Sequence, residues 1–184
     1  MKYILILFVL CFSIGNAQQK NNNFKNLSAE IPFDPSVKRG TLENGLTYYL
    51  KKNEKPSGKA ELRLVIDAGS ILENPDQLGL AHFIEHMAFN GTKSFEKNDL
   101  IDYLQSIGVA FGADLNAHTS FDETVYKLTV PTDTNNFFET SLQILREWAD
   151  GVTFDPSEID KERGVVAEEL RARNNANSRL YDHT

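Results

Sequence analysis

The stretch Leu80-Ala-His-Phe-Ile-Glu-His-Met-Ala-Phe-Asn-Gly-Thr92 decides how this chain is read. Wound as a helix at about 100° per residue, it divides into two faces. Leu80, Phe83, Ile84 and Met87 recur at the i, i+3, i+4, i+7 spacing expected of a core stripe. His82, Glu85, His86 and Phe89 recur at the same spacing on the opposite face. That second face is not the solvated Lys/Glu mixture of an ordinary surface helix. Two imidazoles one turn apart can bind a single ion from the same side, and zinc would then take a third protein ligand and keep a fourth position for water. Glu85, next to the second histidine, need not bind the metal. It is placed to accept a proton from the water the metal would hold.

The third ligand should be a distant His, Asp or Glu. The richest acidic stretch, Glu158 to Leu170, reads as a helix whose buried stripe is Ile159, Val166 and Leu170. Glu162 and Glu169 lie within about 60–80° of the centre of that stripe, nearly superposed on each other, while Glu168 points roughly 180° away. Carboxylates beside a buried stripe need a partner, because burying unpaired charge is costly. A metal would be one; Arg163 or Arg173 would be another. His118 is expected to be exposed on a strand and His183 sits in the tail, so neither is the ligand expected.

Around these segments the chain alternates strand and helix signals. Leu46 to Leu50 follows the turn Glu43-Asn44-Gly45, and Ala60 to Gly69 alternates before its glycine; both read as strands. Asn90-Gly91 closes the histidine helix. Asp99 to Ile107 reads as a short amphipathic helix, and 109–130 as two strands joined by a turn, with Thr124, Tyr126, Leu128 and Val130 on one face. Phe138, Leu142, Leu145, Trp148 and Ala149 keep helical spacing. A last helix starts at Asp155-Pro156-Ser157-Glu158, with Asp155 as N-cap. This order predicts an α+β fold, a mixed β-sheet packed against helices.

Composition sets the wider limits. A chain of 184 residues, 41% hydrophobic, can bury one ordinary core. The net charge is −7, from 19 basic and 26 acidic residues with no basic cluster, which argues against a nucleic-acid or anionic-membrane partner. Lys2, the apolar run Tyr3 to Ile14 and the small residues of Gly15-Asn16-Ala17 read as a signal peptide cleaved before Gln18. Loss of Lys2 would leave 18 basic against 26 acidic residues, or −8. The expected product is exported, periplasmic or secreted, with no membrane attachment after cleavage. Cys11 is the only cysteine and falls inside that peptide, so thiolate ligands and a cysteine nucleophile are excluded from the mature chain. Residues 18–30 read as a flexible polar leader, and 31–184 as the catalytic part. The tail at 171–184 stops without a clear cap or closing strand, as a partial domain of a longer polypeptide would.

Several motifs together carry a resemblance. Leu42-Glu-Asn-Gly-Leu46, Gly79 to Lys93, Leu115 to Tyr126 and Glu162-Arg-Gly-Val-Val-Ala-Glu-Glu169 are similar to the pitrilysin/insulinase family of zinc metallopeptidases. These are the inverzincins, defined by H-x-x-E-H, and they include the mitochondrial processing peptidases. The resemblance runs from about Arg39 to the end. It implies a metalloendopeptidase acting on extended peptides or unfolded segments, with one Zn2+ per catalytic domain. It implies His82, His86 and Glu169 as ligands, Glu85 as base, and Glu162 as support behind the ligands. Phe89 would line the site, and Asn116 and Ala117 would lie on an edge strand that pairs with substrate backbone. Family members pair homologous domains, the distal one supplying an Arg/Tyr pair that helps hold substrate. Nothing here matches that half, so a homologous second domain or partner subunit is expected, and residues 18–184 alone should show little or no peptidase activity. A non-catalytic zinc-binding subunit of the same fold would not need Glu85. A two-histidine, one-carboxylate iron oxygenase fits less well, since both histidines share a helix with a glutamate free for base chemistry.

Overall fold

This computed structural model describes residues 30–133 and 135–173. The expected signal peptide, all but the last residue of the leader, and the tail with His183 lie outside the described residues. The chain divides into two compact units, Met1–Lys52 and Asn53–Thr184.

In the first unit, β1 (Val37–Thr41) and β2 (Thr47–Lys51) form an antiparallel hairpin, with Thr41 opposite Thr47. Gly45, at φ 90°, makes the turn that Asn44-Gly45 announces, and Asn44 Oδ1 accepts the Leu46 N–H at 3.1 Å. The sequence reading found β2 but not β1. Val37-Lys-Arg-Gly-Thr41 has no apolar alternation, and its strand character comes from pairing with β2.

The second unit holds β3 (Lys59–Ile66), a 3₁₀ turn (Ser70–Leu72), α1 (Leu80–Met87), α2 (Lys97–Ser106), β4 (Leu115–Thr119), β5 (Thr124–Pro131), α3 (Asn135–Asp150) and α4 (Pro156–Arg173). Its sheet runs β3-β5-β4 with antiparallel ladders, so β5 is central. Thr124, Tyr126, Leu128 and Val130 are all buried, as the alternation in β5 predicts. Leu62 of β3, Leu115 of β4, Leu100 and Leu104 of α2, and Ile144 and Trp148 of α3 complete the core around them. Burying a side chain of this size contributes about 1.5–3 kcal/mol. Among the described residues no helix is long and apolar enough to cross a membrane.

Two helices face differently from their apolar periodicity. Met87 of α1 is buried as expected, but Leu80 and Ile84 are 44% and 39% exposed, whereas Glu85 is only 9% exposed. The cause is the pair of neighbours: α1 packs against β4 and α4, and its polar face is the one that meets them. On α4, Leu170 is 72% exposed rather than buried, and Glu162 occupies the inward face with half-buried Ile159, Val166 and Glu169. Its inward stripe is thus centred on the carboxylates, because what it meets is the histidine face of α1.

Candidate metal centre

The α1–α4 contact brings one histidine pair to one carboxylate pair. Glu162 is buried, and its Oε1 lies 2.8 Å from His86 Nδ1 while its Oε2 accepts the Asn90 Nδ2–H at 2.9 Å. Asn90 Nδ2 also donates to the His86 carbonyl at 3.1 Å, clamping the end of α1 to α4. A carboxylate oxygen accepts from an imidazole N–H, so this contact selects the His86 tautomer with its proton on Nδ1 and its lone pair on Nε2. That lone pair faces His82 Nε2 at 3.2 Å. Glu169 Oε2 lies 3.6 Å from His82 Nε2 and 3.7 Å from His86 Nε2.

These three atoms test whether an ion fits. Metal–ligand bonds of about 2.0–2.2 Å at tetrahedral angles place ligand atoms roughly 3.3–3.6 Å apart. The observed triangle of 3.2, 3.6 and 3.7 Å is close to that spacing. A hydrogen bond between the rings would need only two of its corners. Burial first, and the neighbouring His86 second, push the His82 pKa below its ordinary value, which favours the neutral imidazole a metal needs. Glu168 points away and pairs with Arg171 at 2.7 Å. The arginine alternative is met in part: Arg173 Nη2 lies 3.4 Å from Glu169 Oε2, whereas Arg163 lies 3.8 Å from Asp160.

Glu85 stands outside this triangle. Its Oε2 accepts a 2.6 Å hydrogen bond from Thr119 Oγ1, at the end of β4. Thr124 Oγ1 donates to the Ala68 carbonyl at 2.9 Å, so its proton is committed and Thr119 is left to serve Glu85. Burial, and secondarily the Glu85 charge, raise the Tyr126 pKa, so this phenol remains neutral.

The expected substrate-side residues are divided. Among the described residues β4 is an edge of the sheet. Asn116 is exposed on it, with its Oδ1 accepting the Ala117 N–H at 3.0 Å, while Ala117 packs against the core. Phe89 is half-buried in an aromatic group, 5.4 Å from the Trp148 ring and 6.0 Å from exposed Phe111. His118 is exposed, 3.6 Å from Glu123.

Residues 48–183 match the profile of the family described as Insulinase (Peptidase family M16). The chain belongs to this family. The probable zinc protease PqqL of Haemophilus influenzae is 42% identical over 177 residues, covering 94% of this chain and 18% of that protein. The zinc protease PQQL-like of Arabidopsis thaliana is 42% identical over 170 residues, covering 92% and 17%. The crystal structure of the first half of the periplasmic protease PqqL from Escherichia coli matches at a TM-score of 0.79 and 42% identity, covering 84% of this chain and 33% of that one. The chain therefore spans less than a fifth of the length of the two curated relatives named here. The insulinase-family resemblance and the α+β architecture read from the sequence are both borne out.

Three contacts of this insulinase-family site escaped the sequence reading. Asn90 marks a helix end in the sequence, but it also stands four residues after His86 and so beneath it. Thr119 shares the inward period of Leu115 and Ala117 along β4, which is the signal the sequence holds for it. Glu73 accepts the N–H groups of Gly79 and Ala81 at the start of α1, and nothing in the local sequence announces that reach.

Proposed function

We propose that this insulinase-family chain is the N-terminal, zinc-binding catalytic part, residues 31–184, of an exported metalloendopeptidase that hydrolyses extended peptides or unfolded segments. The observation that carries this reading is the convergence of His82 Nε2, His86 Nε2 and Glu169 Oε2 within 4.8 Å of one another, with buried Glu85 beside them but outside the set. His82, His86 and Glu169 hold one Zn2+. Zinc held there would supply Lewis acidity, polarising a carbonyl and acidifying water. Glu85 takes the proton of the attacking water and returns it to the leaving amine. Thr119 holds Glu85 Oε2, which leaves Oε1 for that water. Glu162 fixes the His86 tautomer. Asn116 and Ala117 present the β4 edge to an extended substrate, and Phe89 lines the approach.

Export is supported by the periplasmic relative in Escherichia coli and by the signal-like residues 1–17. A homologous second domain or partner subunit completes the enzyme, and residues 18–184 alone turn over peptides poorly or not at all. The test is zinc content of the wild type beside three variants, followed by turnover in the completed enzyme. About one zinc per chain is expected, lost in His82→Ala and Glu169→Ala and kept in Glu85→Gln, which no longer hydrolyses. Zinc retained by the ligand variants, or full turnover by Glu85→Gln, refutes the assignment. Robust turnover by residues 18–184 alone refutes the need for a second half.

A further inference from the structure

We infer that Glu73 is a positioning residue for the metal ligands, fixing the first turn of α1 and with it His82; the inference rests on the zinc reading above. Helix α1 has only eight residues, from Leu80, and its N-cap is Gly79, which at φ 88° has no side chain to cap it. A helix start leaves backbone N–H groups without partners inside the helix. Glu73 supplies the acceptors: Oε2 takes the Gly79 N–H at 2.8 Å and Oε1 takes the Ala81 N–H at 2.7 Å. A negative charge is also favoured at a helix N-terminus. His82 is the next residue after Ala81, so the ligand sits on the turn that Glu73 holds.

Glu73 is itself anchored. It follows the 3₁₀ turn, whose Ser70 N–H donates to the Ser120 carbonyl at 3.1 Å and whose Ile71 N–H donates to the Phe121 carbonyl at 2.8 Å. The β4–β5 turn that supplies these carbonyls is the one whose first arm, Thr119, holds Glu85. One turn therefore grips the metal helix twice, at its N-terminus through Glu73 and at the base through Thr119. Glu73, Gly79, His82 and Thr119 line a common cavity of about 310 Å³ beside the metal centre. The two ligands on α1 are thus supported separately, His86 by Glu162 and Asn90, and His82 by the turn that Glu73 closes.

The test measures zinc affinity of the full chain by competition with a chelator of known affinity, together with the melting temperature of the metal-free chain. Glu73→Ala should weaken zinc about 2- to 30-fold, the equivalent of a lost helix cap. Glu73→Gln keeps one acceptor oxygen and should fall between Glu73→Ala and wild type. A merely structural contact would lower the metal-free melting temperature and leave the zinc affinity of the folded chain at the wild-type value; that result overturns the inference. If Glu73→Ala does not fold, Glu73→Gln decides alone, weaker zinc supporting the role and wild-type affinity overturning it. A folded wild type that binds no zinc overturns the metal reading and this inference with it. Loss of zinc in His82→Ala alongside wild-type affinity in both Glu73 variants overturns the positioning role alone.

Discussion

Replacing Glu162 by glutamine isolates the part of the site that selects the histidine tautomer. Glu162 is 8% exposed and accepts from His86 Nδ1 at 2.8 Å and from Asn90 Nδ2 at 2.9 Å. Glutamine keeps the shape but offers one acceptor oxygen and one NH2 donor. If the NH2 faces His86, the imidazole must move its proton from Nδ1 to Nε2, the atom that would bind zinc. If it faces Asn90, two buried amide donors oppose each other. A hydrogen bond to a charged group contributes about 1.5–3 kcal/mol, equivalent to roughly 10- to 150-fold in an equilibrium constant. Because the bond exists with and without metal, that range is an upper bound on the change in zinc Kd. Losses of about 10- to 100-fold are usual for partners of this kind. The assay is chelator competition on chains shown to be folded by near-ultraviolet circular dichroism. Unchanged zinc affinity in a folded Glu162→Gln chain would refute the tautomer argument, whatever else the site does.

Thr119→Val removes the hydroxyl that donates to Glu85; with a charged hydrogen bond at stake, kcat of the completed peptidase should drop about tenfold or more. Zinc content should not change and Thr119→Ser should restore most of the rate, so wild-type kcat in Thr119→Val sinks the role. The metal-free chain should lose stability in acid through His82. Its folded pKa lies below the ordinary 6.5, so the unfolded chain takes the proton first; the contribution is full above about 6.5 and is lost as the pH falls through the folded value. Urea midpoints measured across that window should slope in wild type and slope less in His82→Gln; equal slopes count against it. Leu128→Ala empties a position with 0% exposure at the centre of the core, and urea unfolding should register a loss of about 2–5 kcal/mol. A loss well under 1 kcal/mol would mean that β5 is not the packed centre of the unit.

Much of the local structure is carried by neighbouring residues and was legible from them. Asp155-Pro156 announces α4, and Asp155 Oδ1 does accept the Ser157 and Glu158 N–H groups at 2.8 and 3.3 Å. The alternation of Thr124, Tyr126, Leu128 and Val130 identifies the buried face of β5, since a strand offers only two faces and one is apolar. The i, i+4 spacing of His82 and His86, with Glu85 between them, is a property of the helix alone. Helical periodicity misled where the inward face was polar. Leu80, Ile84 and Leu170 set the phase of an apolar stripe, but a stripe is buried only if something covers it.

The sequence by itself determined which residues could be ligands and base, and their order on α1, because one helical turn sets those distances. Only the tertiary structure decided that α4 lies against α1. His86 and Glu162 are 76 residues apart in the chain and 2.8 Å apart in the fold. Long-range packing turned the polar faces inward, and no local pattern can report it.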